Sequence, residues 1–160
     1  TLKMIEGFIA KEHVKVTNAG SMPKRIDALK KGEVAGVSLM EPWISVAEKE
    51  GLRILMESHS TRAEAAGDDL DGPTLAAMFR AQARACEVLA NDPTPYIHYF
   101  INETGGRLDE KDFRHERLLH APPQPYTRER WDDTYNWTVS WNMTVPDASY
   151  EQIVDNRAFD

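Results

Sequence analysis

The chain has 160 residues, of which 41% are hydrophobic and 28% charged, with a net charge of −7. That composition is globular rather than disordered, and the acidic balance argues against a nucleic-acid binder, which needs a basic stripe. A single cysteine, Cys86, excludes an internal disulfide and any cysteine-based zinc site. The apolar run Val34–Met40 is too short, and the charge-free stretch Thr134–Pro146 too polar, to span a bilayer.

Taken in chain order, Leu2, Ile5, Phe8 and Ile9 recur at helical spacing and predict a helix over residues 2–12, with Thr1 as its cap. Val14–Thr17 alternates and is β-branched, the pattern of a short strand. Asn18-Ala19-Gly20-Ser21 is turn chemistry. Pro23 suits the first turn of a following helix, whose apolar face is Ile26 and Leu29 and whose stop is Gly32. Val34–Met40 reads as a strand buried on both faces. Glu41-Pro42 ends it and opens a helix that stops at Gly51, and Leu52–Met56 reads as a third strand.

Beyond Glu57 the pattern changes. Ser58–Gly72 is polar and loop-like. A long helix is expected from Asp71-Gly72-Pro73-Thr74 to about Ala90, with a stripe of Leu75, Met78, Phe79, Gln82, Cys86 and Leu89. Asp92-Pro93 breaks it. A helix over Pro95–Glu103, a weaker one over Asp109–Leu119 and an extended connector over Ala121–Tyr126 follow. Thr127 caps a helix to about Trp141, and Pro146-Asp147 opens the last. The strand–helix alternation predicts an α/β segment with a small parallel sheet over residues 1–57. Residues 58–160 read as a hinge crossover and helices with no strand of their own to cover. Their apolar faces therefore call for a companion segment outside this chain.

Several residues are placed where chemistry is possible. Ser21 and Met22 join an expected strand end to a helix start, where free N–H groups favour an anion; the plain alternative is a cap. Glu41 and Trp43 follow the most apolar expected strand, so the carboxylate could accept a ligand donor and the indole could stack on a flat ligand. Capping and core packing are the structural alternatives. Arg62, in the loop after the third strand, offers a planar fork for a carboxylate, sulfonate or phosphate. Thr1 carries a hydroxyl next to its own α-amine, the arrangement of an N-terminal nucleophile; an ordinary trimmed end is the alternative. The chain opens on it without an initiator methionine, as expected of a mature or excised polypeptide. The five histidines make no metal-binding motif. Trp131 and Trp141 share roughly one face of their helix, a stripe that reads as core before it reads as a ligand cage.

The run Ser21-Met22-Pro23-Lys24-Arg25-Ile26-Asp27-Ala28-Leu29-Lys30-Lys31-Gly32-Glu33-Val34 resembles a segment of type II periplasmic solute-binding proteins, in the branch that binds sulfonates, taurine and thiamine precursors. Glu41-Pro42-Trp43 followed by Ala47–Leu55 continues the likeness, as do Phe79-Arg80-Ala81, Asn91-Asp92-Pro93 and Tyr150–Asn156. The resemblance implies one α/β lobe of a two-lobed clamp, with helices returning to a first lobe carried by a companion chain. It implies that Ser21, Met22 and Glu41 face a ligand cleft and that the ligand is a small polar or anionic organic molecule. Neither cofactor nor metal is implied. The chain departs from the family in having no apolar strand within Ser58–Gly72. Some relatives on this fold are enzymes, so a second expectation stands beside the first. In it the chain is a subunit of a hydrolase acting through Thr1 on an amide- or ester-like bond, or of a decarboxylase- or desulfinase-like lyase. A receptor would be periplasmic or extracellular, an enzyme cytoplasmic.

Overall fold

The computed structural model describes residues 2–60, 64, 67 and 69–159. Among them run seven α-helices: α1 (Leu2–Ile5), α2 (Met22–Lys30), α3 (Trp43–Lys49), α4 (Gly72–Asn91), α5 (Ile97–Glu103), α6 (Arg128–Ser140) and α7 (Tyr150–Ile153). Short 3-10 turns stand at Lys11–His13, Thr94–Tyr96, Glu110–Asp112 and His115–Arg117. The chain divides into two compact units. Unit one takes Thr1–His59 and Asp92–Leu119; unit two takes Ser60–Asn91 and His120–Asp160.

Unit one is built on α2 and α3, and the same local device ends both helices. Gly32, with φ +72°, lets the Glu33 amide turn back and donate to the Ala28 carbonyl at 3.0 Å. Gly51, with φ +80°, lets Leu52 donate to Ala47 at 2.9 Å. Both are left-handed C-terminal caps, which glycine adopts without steric cost. Leu52 then packs against the core of Ile26, Trp43, Val46, Ala47, Ile97, Leu108 and Phe113. Ile26 and Val46 are fully buried, worth about 1.5–3 kcal/mol each. The buried hydroxyls within this core are satisfied. Ser45 accepts from the Arg114 amide at 3.1 Å, and Thr104 donates to the Ile101 carbonyl at 2.7 Å.

Unit two holds α4, α6 and α7. Asp71 accepts from the Thr74 amide at 2.7 Å and starts α4; Thr127 accepts from Arg130 at 3.3 Å and starts α6. Asn142, at φ 54°, ends α6 in the left-handed region, with Met143 donating back to Thr138 at 2.9 Å. Tyr126, Tyr150 and Asn156 tie the connector to α7: the Tyr150 hydroxyl donates to the Tyr126 carbonyl at 2.6 Å, and Asn156 donates to both.

The expected α/β lobe with its parallel sheet is not what the chain forms. No β-strand occurs among the described residues. Val14–Thr17, Val34–Met40 and Leu52–Met56 are irregular, with a bend at Ala35, and pair with nothing in a ladder. The reason lies in what their patterns report. Alternating apolar residues signal a half-buried extended surface, not a partner at strand distance. Leu39 and Leu52 lean on the helical core, which satisfies the pattern without a sheet. Val16 and Leu55 remain about two-thirds exposed. Other boundaries shift too. The helix expected over residues 2–12 stops at Ile5; Leu2 and Ile5 are half-buried, but Phe8 and Ile9 stay exposed, at 82% and 44%. Asp109–Leu119 forms only two 3-10 turns, and the last helix is a single turn. A lone amphipathic helix needs tertiary packing to persist, and these find little.

Candidate functional site

The candidate residues gather at the starts of α2 and α3. Ser21 is the N-cap residue of α2, but its side chain makes no capping bond and lies exposed. Pro23 contributes no N–H, so the Met22 and Lys24 amides are the donors that the first turn leaves outside the helix ladder. Gly20 precedes them at φ +82°, and a Cβ there would meet the Lys24 side chain at 3.3 Å. Met22 packs partly buried against the core that contains Trp43.

Arg25 fixes this loop in place. Its Nε donates to the Gly20 carbonyl at 2.9 Å and its Nη1 to the Ser38 carbonyl at 3.0 Å. One guanidinium thereby holds the Gly20–Met22 turn beside the Ser38–Glu41 segment, although the two lie far apart in sequence. A hollow of about 490 Å³ opens next to the turn, lined by Thr17, Asn18, Lys24, Asp27, Lys31 and Glu33, with Ala19, Ala28 and Val34. Lys24 and Lys31 are seven residues apart and so share the α2 face beneath it. Asp27 on that face pairs with Arg107 at 3.5 Å.

Glu41 turns elsewhere. Its side chain is 4% exposed, and both oxygens are engaged: Oε2 accepts from the Ser45 amide at 3.2 Å and Oε1 faces Arg117 Nη1 at 3.2 Å. Arg117 also bonds Glu48 at 2.6 Å and faces Glu57 at 3.4 Å. The hydrogen bond that Arg117 donates to Glu48, aided by the one to Glu41, holds the guanidinium firmly protonated against the cost of burial. In return, the Arg117 hydrogen bond keeps the Glu48 carboxyl below the usual carboxylate range. Trp43 is a core residue, 6% exposed. Its indole N–H donates to Glu103 at 3.1 Å and the Arg107 guanidinium lies over its ring at 5.7 Å. A second ion network flanks it. Burial pushes the Glu50 carboxyl up, but Lys30 and Arg107 together outweigh that and hold it below its ordinary value.

The structure thus brings Met22 and Trp43 onto one core, keeps Ser21 on the surface, and directs Glu41 to Arg117. Thr1 and Arg62 lie outside the described residues. Sequence reasoning missed the two arginines that organise the site. No local spacing signals Arg117: Glu41 lies before the first residue of α3, so helical periodicity does not set it on a face with Glu48. Arg25 carries no signal either, because its partners are carbonyls. Among the described residues no three His, Cys, Asp or Glu side chains converge as metal ligands, and no helix is long and apolar enough to cross a membrane. No family model, curated protein or solved structure matches the chain.

Proposed function

We propose that the protein binds a small polar or anionic organic molecule at the hollow beside the α2 N-terminus, as part of a clamp that a second polypeptide completes. The observation that carries the reading is this hollow, with Lys24 and Lys31 on its α2 wall and the Arg25-braced turn at its edge. Its volume falls in the range of small-molecule sites, about 300–1,000 Å³. The Lys24 and Lys31 ammonium groups of the lining can meet a carboxylate or sulfonate, and the lining carboxylates Asp27 and Glu33 suit a ligand that also carries a hydroxyl or ammonium donor. Glu41 and Trp43 serve this site by positioning α3 and the chain leading into it, not by touching ligand. The resemblance of Ser21–Val34 and Glu41–Leu55 to solute-binding proteins supports the same ligand class.

Support for the second polypeptide comes from exposed apolar side chains in unit one: Phe8 is 82% exposed, Val16 66% and Leu55 67%, surface that a partner would remove from water.

Calorimetric titration with a panel of small sulfonates, carboxylates and amino acids tests the reading. At least one anionic member should bind, and Lys24→Met or Lys31→Met should weaken it about tenfold, as loss of one charge-assisted hydrogen bond does. Binding indifferent to both lysines, or no binding across the panel, would refute it.

A further inference from the structure

We propose that unit two carries a separate binding site for a small neutral ring compound that presents an N–H or O–H donor. The site is a hollow of about 430 Å³ between α6, the loop after it and α7, and it does not rest on the reading of unit one. Its wall is an aromatic slab. Trp131 stacks on Tyr135 at 5.0 Å with the planes 16° apart, and the edge of Tyr150 meets Trp131 at 6.5 Å. Met143 and Ile153 form the rim and are each about 60% exposed, apolar surface that a ligand would remove from water.

The slab is held by bonds that do not involve a ligand. The Tyr135 hydroxyl donates to the Val145 carbonyl at 2.9 Å and accepts from the Ala148 amide at 2.9 Å. The loop that closes the hollow is therefore fixed to the residue that forms its wall. A preformed surface loses less entropy on binding than one that must be ordered.

The chemistry of the lining selects the ligand. No acidic or basic side chain lines the hollow among the described residues, so an ion entering it would give up hydration without a counter-charge. The polar groups of the lining are the hydroxyls of Thr134, Thr138, Thr144, Tyr126 and Tyr135 and the indole N–H of Trp131. Tyr135 is engaged on both sides, and Tyr126 gives its proton to the Arg130 carbonyl at 3.5 Å. Thr138 donates its hydroxyl proton to the Tyr135 carbonyl at 2.8 Å, which leaves its oxygen to accept a hydrogen bond. The matching ligand edge is a donor. The volume suits one or two rings and not a peptide helix, which is about 10–12 Å across.

Ligand-observed NMR with the full chain provides the test, using indole, phenol, toluene and benzoate as probes. Indole and phenol should bind with Kd of about 1 mM or tighter, the range open to so few atoms, and benzoate at least tenfold more weakly. Ala148→Trp fills the hollow and should abolish indole binding. Thr138→Val keeps the shape and should weaken indole severalfold while leaving toluene unchanged. Near-UV circular dichroism confirms that each variant is folded. Failure of indole to bind the wild-type chain overturns the proposal, as does equal binding to folded Ala148→Trp. So does a concentration-dependent dimer that Ile153→Glu disperses in the absence of probe binding, since the hollow is then an interface with a second copy.

Discussion

Arg117→Leu tests what holds the start of α3 in place. The guanidinium side chain is 15% exposed and stands between three carboxylates, of which Glu41 is 4% exposed, Glu48 31% and Glu57 37%. Without Arg117, Glu48 and Glu57 rehydrate, and each costs at most about 1 kcal/mol, as exposed pairs do. Glu41 cannot rehydrate in place. It keeps one hydrogen bond, from the Ser45 amide, and loses its counter-charge. Breaking a buried pair from one side costs about 3–5 kcal/mol. The residual exposure of the guanidinium places this case at the lower end, about 3 kcal/mol. Urea unfolding should show it as a fall in midpoint at unchanged slope. Glu41→Gln in the same background should recover about 1–2 kcal/mol, because a buried neutral amide is less costly than a buried unpaired charge. A loss below about 1 kcal/mol, or one that Glu41→Gln leaves untouched, would refute the argument that a buried carboxylate sets the cost.

Acid should destabilise unit one through the same network. The Glu48 carboxyl is held below its ordinary value of 4.5 by Arg117, so it contributes stability that is complete above that value and lost as pH falls through the depressed one. Stability measured between pH 6 and about 3 should decline, and Glu48→Gln should flatten the decline; an unaltered profile would count against the pairing. In unit two, Tyr150→Phe removes the hydroxyl that donates to the Tyr126 carbonyl and accepts from Asn156. The expected loss is about 1–2 kcal/mol, read from thermal or urea unfolding, and no loss would mean that water replaces the hydroxyl at no cost.

How far the chain is legible depends on which interactions are local. The caps are local, and they can be read directly. Gly32 and Gly51 end helices because only glycine enters the left-handed region freely, and Asp71 and Thr127 begin helices because their oxygens reach amides three residues on. Pairing is not local. Val34–Met40 has the apolar density of a buried strand, yet that density is met by Leu39 leaning on a helical core. Nothing within seven residues states whether a neighbour lies alongside. The resemblance to solute-binding proteins carried the same gap, since it marked segments and left their pairing to a fold the chain does not form.

The candidate residues divide along that line. Glu41 and Trp43 were singled out because an acid and an aromatic after an apolar run suit a ligand edge, and each is also what a helix start needs for itself. The partners decide between these roles, and they lie far along the chain: Arg117 is 76 residues from Glu41, and Glu103 is 60 from Trp43. Once both are placed, the carboxylate and the indole N–H are occupied by protein. The charged groups that line the hollow of unit one are residues the sequence did not single out: Lys24, Lys31, Asp27 and Glu33. A residue that looks reactive in sequence is one that must be paired on folding, and pairing removes it from the site. A residue that looks merely solvated keeps its charge available to a ligand. For this chain, recognition therefore shifts from the acid and aromatic that stand out to the lysines of α2 and its C-terminal cap.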